Sequence, residues 1–153
     1  SETGHLTLGA GRVVPQDEVR IARAIKDGEL RENEAVNLGC ESAREHCGDV
    51  HVIMMLSERS SHGNMDEGIA VLQAAAHKGI TRAWLHLILD GRSSPPQGAA
   101  DILELLEARA PSGIDVEVVT AMGRAYALDR SGSYREKTQV AYRALVTGDG
   151  RGY

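Results

Sequence analysis

The sequence predicts an α/β protein in which a mainly parallel sheet, built from βαβ units, lies between two layers of helices, a three-layer αβα arrangement. Three short apolar runs, rich in aliphatic residues and bounded by Gly, Ser, Pro or Asp, have the composition of buried strands. Helical patterns separate them, and strands that alternate with helices form parallel sheets through right-handed crossovers. The predicted strands are VHVIMML (50–56), RAWLHLIL (82–89) and DVEVVTAM (115–122).

Helical periodicity is clearest between the first two strands. In MDEGIAVLQAAAHKG the apolar residues Met65, Ile69 and Leu72 recur at helical spacing, and Gly79 supplies a C-terminal stop. Comparable patterns predict further helices over residues 15–28, 33–48, 95–113 and 134–150. The chain has no internal repeat and no linker that would divide it.

Composition indicates one soluble domain and argues against several classes of function. The 153 residues are 42% hydrophobic and 25% charged, with a net charge of −5, which disfavours a broad nucleic-acid surface. There is no Phe to form an aromatic platform for bases. No apolar run reaches the roughly 18 residues of a membrane helix, and the start lacks a signal-peptide pattern. We therefore expect a cytoplasmic protein with neither nucleic acid nor membrane as a partner.

Two cysteines, Cys40 and Cys47, fall on one predicted helix. A seven-residue separation at 1.5 Å per residue places their α-carbons about 10 Å apart, beyond the reach of a disulfide. Reduced cysteines are the expectation.

Cationic side chains follow each predicted strand. Ligands of open parallel sheets bind beyond the carboxyl ends of the strands, which here are continued by segments 57–64, 90–97 and 123–134. Guanidinium groups bind phosphate and carboxylate through paired hydrogen bonds. A cationic pocket is therefore predicted at this edge, formed by His62, Arg92, Arg124 and Arg130.

Local ion pairing is an alternative explanation for these arginines. Arg92 lies two residues after Asp90, and Arg130 directly follows Asp129, so each guanidinium could merely neutralise its neighbour. For a single arginine the two interpretations stay open, whereas three cations after three strands favour the pocket.

The same loops carry four motifs, in order, that resemble the cofactor-independent (2,3-bisphosphoglycerate-independent) phosphoglycerate mutases. The family's Ser-Glu-x-Gly-His segment, with its following Gly-Ala-Gly-Arg and Gln-Asp, stands here as SETGHLTLGAGRVVPQD. Its Leu-Ser, Leu-Asp-Gly-Arg and Gly-Arg-x-Tyr-Ala-x-Asp-Arg loops stand as LSERSSH, LDGRSSPP and GRAYALDR. The resemblance extends over essentially the whole chain.

The resemblance implies an isomerase of glycolysis and gluconeogenesis that interconverts 3-phosphoglycerate and 2-phosphoglycerate through a phosphoserine. A phosphatase domain of the alkaline phosphatase superfamily holds two Mn²⁺, and an inserted domain grips the glycerate. By position, Ser1 would be the nucleophile and a metal ligand in the longer protein, and His62 the acid/base at the substrate hydroxyls. Arg92, Arg124 and Arg130 would hold carboxylate and phosphate.

Departures from the family pattern occur at the predicted substrate-binding position Ser93, where the family usually has Asp, and around His62. There ERSS replaces Asp-Gly-Gly-Val, and Asn64 replaces a histidine. A diverged or non-catalytic relative that binds another phosphorylated or phosphono acid therefore remains an open alternative.

The resemblance also predicts that the chain is part of a longer mutase, because the metal-binding Asp and His motifs of the phosphatase domain are missing. Residues 1–14 would be the nucleophile segment and linker, and residues 15–153 part of the inserted substrate-binding domain. We expect this chain alone to be an inactive monomer that binds no Mn²⁺ itself and recognises a small phosphorylated acid.

Two further interpretations of the first residues are weaker. Ser1 could be an N-terminal nucleophile activated by its own amino group, but that class of hydrolase uses stacked antiparallel sheets. The GAGR segment lacks the strand context of a dinucleotide-binding loop, so we expect a tight turn before the first predicted helix.

Overall fold

Three parallel strands form the centre of the protein in the computed structural model, which describes residues 2–46, 48–132 and 134–151. They are β1 (Asp49–Leu56), β2 (Arg82–Leu89) and β3 (Asp115–Gly123), in the order β1-β2-β3. Asp49 pairs with Arg82, and the register continues without a break to the ends of β1 and β2. Between β2 and β3 it is shifted once, at Leu85/His86. The predicted fold class and all three predicted strands are confirmed, within one residue at each end.

The helices flank these strands in sequence. All five predicted helices are present, although each is shorter than its pattern because the Pro and Gly residues at the ends lie outside the helical turns. Two helices, the first and the sixth, were not predicted. In chain order the α-helices of the described residues are α1 (Glu2–Ala10), α2 (Asp17–Lys26), α3 (Glu34–His46), α4 (Met65–His77), α5 (Ala99–Arg109), α6 (Arg124–Ala127) and α7 (Tyr134–Thr147). A short 3₁₀ helix lies at Glu29–Glu32.

The main core lies on one face of the sheet. Alternate residues of a strand point to the same face, and the alternation in β1 and β2 directs Leu56, Leu85 and Leu87 towards α3, α4 and α5. Leu72 of α4 and Leu85 of β2 are fully buried at the centre of this layer. Cys40 of α3 is buried in the same core, while Cys47 lies outside the described residues.

The second face is covered less completely. Helix α7 packs here, with Ala141 buried, and leaves a cavity of about 300 Å³ between itself and the sheet. Ile53 at this face remains 59% exposed. The prediction of helices on both faces therefore holds, with the described residues covering the second face only in part.

A chain of hydrogen bonds crosses the strands on this second face. The Nδ1 atom of His51 is 2.9 Å from Nε2 of His86, whose Nδ1 is 2.7 Å from the hydroxyl of Thr120. Burial, with a smaller effect from the neighbouring His51, lowers the pKa of His86. The neutral imidazole is thus the form that this face favours.

The first turn of the chain agrees with the expectation for GAGR. Gly11 has a φ of +61° and its amide donates to the carbonyl of Leu8, closing a turn after α1. None of the helices in the described ranges is long and apolar enough to cross a membrane.

Candidate anion-binding site

Three loops meet at the carboxyl edge of the sheet, because parallel strands all end at the same side. They bring together side chains that lie up to 68 residues apart in sequence, around one cavity of about 340 Å³. We call it the cation cavity. Its lining residues are His62, Arg92, Arg124, Ala127, Leu128, Asp129 and Arg130.

Four of the five predicted site residues that the structure describes therefore line one cavity. Ser93 is exposed next to the cavity but does not line it; its backbone amide donates to Asp90 at 3.0 Å. Ser1 lies outside the described residues, so its predicted roles as nucleophile and metal ligand stay predictions.

Asp90, the first residue after β2, joins all three loops. Its side chain is fully buried. It accepts hydrogen bonds from Nη1 of Arg124 at 2.7 Å and from the hydroxyl of Ser57 at 3.1 Å. The backbone amides of Arg92 and Ser93 donate to the same carboxylate at 3.2 and 3.0 Å. A single carboxylate thus ties the end of β1 to the loop after β2 and to the start of α6.

These contacts decide the charge state of Asp90. Burial by itself raises the pKa of a carboxyl group, but the hydrogen bond from Arg124 opposes it, as do those from the amides of Arg92 and Ser93 and from Ser57. Together they hold the pKa of Asp90 at about 2. The carboxylate is therefore ionised throughout the neutral range, as a buried partner of a guanidinium must be.

The local pairing of neighbouring charges does not occur. Asp90 takes its ion pair from Arg124, which is 34 residues away, and only the backbone of Arg92 bonds to it. Asp129 does not pair with Arg130. Its carboxylate forms an ion pair with Nζ of Lys137 at 3.0 Å and accepts a hydrogen bond from the hydroxyl of Ser131. Among the described residues, no carboxylate pairs with the guanidinium of Arg92 or Arg130, although both line the cavity.

Hydrogen bonds within the loop and at its C-terminal end hold the segment that carries His62. The amide of His62 donates to the hydroxyl of the buried Ser60 at 3.2 Å. Asn64 then caps α4: its side chain accepts from the amide of Glu67, whose carboxylate accepts from the amide of Asn64. The departure at Asn64 therefore has a structural explanation, since Asn is a favoured N-cap residue. His62 itself remains exposed, with its imidazole at the cavity.

No metal ligand set is found in the part of the chain that the structure describes. None of its His, Cys, Asp and Glu side chains form a group of three or more that could hold a metal ion. The described residues thus do not fit the Mn²⁺ pair that the resemblance implies.

Sequence reasoning did not assign the buried polar residues at the strand ends to the site. Ser57 and Asp90 are each the first residue after a strand, and both are buried. Ser94 lies against them, with its hydroxyl 3.4 Å from that of Ser57. Their position directly at strand ends was the available signal, since buried polar residues there must bond to adjacent loops.

The geometry suits recognition of a small anion. Two guanidinium groups without ion-pair partners among the described residues, a third with N–H groups to spare and an accessible imidazole surround a space that has room for a small organic acid. Imidazole can both accept and donate a proton near neutral pH, so proton transfer at a bound hydroxyl is within the chemistry of the site.

Comparison with known proteins agrees with the motifs that surround this cavity. Residues 21–152 match the family described as "BPG-independent PGAM N-terminus". The chain belongs to this family. The match includes the whole cation cavity.

Individual relatives and a solved structure are similar to this chain in sequence and fold. The 2,3-bisphosphoglycerate-independent phosphoglycerate mutase of Moorella thermoacetica is 42% identical over 150 residues, which are 98% of this chain and 29% of that protein. The corresponding mutase of Listeria welshimeri is 37% identical, with the same shares of both chains. A crystal structure of Leishmania mexicana phosphoglycerate mutase at low cobalt concentration superposes with a TM-score of 0.83 at 26% identity, over 94% of this chain and 27% of that one. The chain spans less than a third of the length of these relatives.

Proposed function

We propose that this chain is the substrate-gripping part of a cofactor-independent phosphoglycerate mutase, which interconverts 3-phosphoglycerate and 2-phosphoglycerate. The observation that carries the proposal is the cation cavity, where His62 and three arginines from the strand-end loops meet in a member of this family. Residues 15–153 would belong to the inserted substrate-binding domain and residues 1–14 to the nucleophile segment.

His62 and the three arginines of the cavity each have a proposed task. Arg92 and Arg130, whose guanidinium groups lack ion-pair partners among the described residues, bind the phosphate and the carboxylate. Arg124 adds the N–H groups that Asp90 does not occupy. His62 exchanges a proton with the glycerate hydroxyls. Ser1 carries the phosphoryl group during turnover.

Whole mutases would need the two Mn²⁺ that the resemblance implies. Residues other than those described here would hold them. The same proposal implies a cytoplasmic monomer that serves glycolysis and gluconeogenesis and has no activity as this chain alone.

Calorimetric titration with 3-phosphoglycerate at low salt tests the proposal. We expect binding by the chain, and Arg130→Ala should weaken it by about tenfold or more, since a charged hydrogen bond contributes roughly 1.5–3 kcal/mol. The matched control is Arg44→Ala on α3, which removes an exposed arginine far from the cavity and should leave affinity unchanged. Equal affinity in the Arg130→Ala and Arg44→Ala variants would contradict the site assignment.

The exposed Ser93, which replaces a family carboxylate, favours one second candidate: a relative that binds another phosphorylated or phosphono acid. Titration with phosphonopyruvate beside 3-phosphoglycerate separates the two. Affinity at least tenfold higher for the phosphonate would replace the mutase proposal with this alternative.

For the mutase itself, His62→Ala in the complete gene product should abolish turnover while leaving the folded structure intact.

A further inference from the structure

We propose that Asp90 is a positioning residue of the anion site: it holds Arg124 so that the free edge of that guanidinium faces the bound anion. This inference rests on the proposed function of the cation cavity. It assigns a role in binding to a carboxylate, a group that would ordinarily repel the ligand.

The geometry begins with the guanidinium of Arg124. It has five N–H groups, and the Nη1 atom is committed to Asp90 at 2.7 Å, the closest of the contacts to that carboxylate. The side chain nevertheless keeps 20% of its surface exposed and lines the cavity. The contact therefore fixes one edge of the group and leaves other donors for a ligand.

The carboxylate is itself fixed by three donors besides Arg124. Ser57 reaches it from the end of β1, and the amides of Arg92 and Ser93 reach it from the loop after β2. A guanidinium on a long side chain loses considerable conformational freedom when it binds. Holding it in advance on an immobile carboxylate removes part of that cost from the binding step.

Electrostatics alone and the positioning role predict opposite changes in anion affinity when the charge of Asp90 is removed. Removal of a negative charge beside three cations should strengthen the binding of an anion. Removal of a positioning group should weaken it. Asp129 supplies the matched control, because it also lines the cavity but pairs with Lys137 rather than with an arginine.

The experiment measures affinity for 3-phosphoglycerate and for inorganic phosphate in Asp90→Asn and Asp129→Asn variants of the chain. We expect Asp90→Asn to weaken binding of 3-phosphoglycerate about fivefold to tenfold, and Asp129→Asn, which removes a negative charge from the cavity lining, to tighten it. In an Arg124→Ala background Asp90→Asn should cause no further weakening, because Asp90 acts through that arginine. A folded Asp90→Asn variant with unchanged or tighter binding overturns the proposal.

Two additional measurements keep the outcomes separate. If Arg124→Ala and Arg130→Ala both leave the affinity unchanged, the proposed function fails, and NMR of the Arg124 Nε–H group then tests positioning directly. Its signal should show an immobile side chain in the wild type and a mobile one in Asp90→Asn; equal mobility refutes the role. Should Asp90→Asn not fold, Ser57→Ala removes one donor to the carboxylate without altering any charge or lining residue. It should weaken binding about twofold to threefold, and unchanged binding refutes the proposal.

Discussion

Acid should destabilise this protein through Asp90 within a defined pH window. The carboxyl group has a pKa of about 2 in the folded protein, against an ordinary value of 3.8. A folded-state pKa that is depressed contributes stability above the unfolded-state value, and that stability disappears as the pH falls through the folded-state value. The window therefore runs from about pH 4 down to about pH 2.

The magnitude follows from the size of the shift. One pKa unit corresponds to 1.36 kcal/mol, so a shift from 3.8 to about 2 contributes about 2 kcal/mol to the free energy of unfolding at neutral pH. About 1 kcal/mol of this is lost by pH 3, where most unfolded chains have taken up a proton at this position and most folded ones have not. The side chain is fully buried, so little of the effect is screened by solvent.

Urea unfolding at pH 5, 4 and 3 measures the effect, with Asp90→Asn as the comparison. The hydrogen bonds from Ser131 and then Lys137 also hold the pKa of Asp129 at about 2, but that carboxylate is present in both proteins and its contribution cancels. We expect the wild type to lose about 1 kcal/mol more than the variant between pH 5 and pH 3. Parallel losses in the two proteins would refute the argument that these hydrogen bonds stabilise the ionised Asp90.

Two other predictions concern the capping of α4 and the second face of the sheet. Asn64→Ala removes the capping box and should cost about 1 kcal/mol, a fall of roughly 2–4 °C in melting temperature, whereas Asn64→Ser should retain most of the stability; equal melting of Asn64→Ala and wild type would show that the cap contributes nothing. Burial lowers the pKa of His86, so stability from this group is present above the ordinary value of 6.5 and falls as the pH drops below it. Urea midpoints at pH 7.5 and 5.5 should therefore differ less in His86→Gln than in the wild type, and an undiminished difference would exclude His86 as its source.

Much of the fold could be predicted because its signals are local. The strands are continuous aliphatic runs with turn residues at both ends, and the apolar side chains of α4 recur at helical spacing. Helix α1 gave no such signal: its apolar residues Leu6 and Leu8 are two positions apart, as in a strand, and both remain exposed. Helix α6 has four residues, too few for any period to show.

The sequence was sufficient to group the cationic residues of the cavity, but it did not predict the ion-pair partner of Asp90. Strand order alone places the ends of three parallel strands side by side, so His62, Arg92, Arg124 and Arg130 could be grouped without coordinates. The partner of Asp90 could not be found in this way, because sequence proximity favoured Arg92 and the contact formed with Arg124 across neighbouring strands. Which of two nearby cations reaches a carboxylate depends on side-chain geometry that no periodicity records.

The arrangement of charges at the cavity also explains why an anion, rather than a further protein carboxylate, should occupy it. Each acid that precedes a cavity arginine in sequence has another partner: Asp90 pairs with Arg124, and Asp129 pairs with Lys137. Arg92 and Arg130 are thereby left at one cavity without an ion-pair partner among the described residues, in a chain whose net charge is −5. Like charges held together raise the free energy of the unliganded site, and an anion that bridges them lowers it. Occupancy should therefore raise the melting temperature in proportion to the logarithm of ligand concentration, with 3-phosphoglycerate effective at lower concentration than inorganic phosphate because it offers a second anionic group.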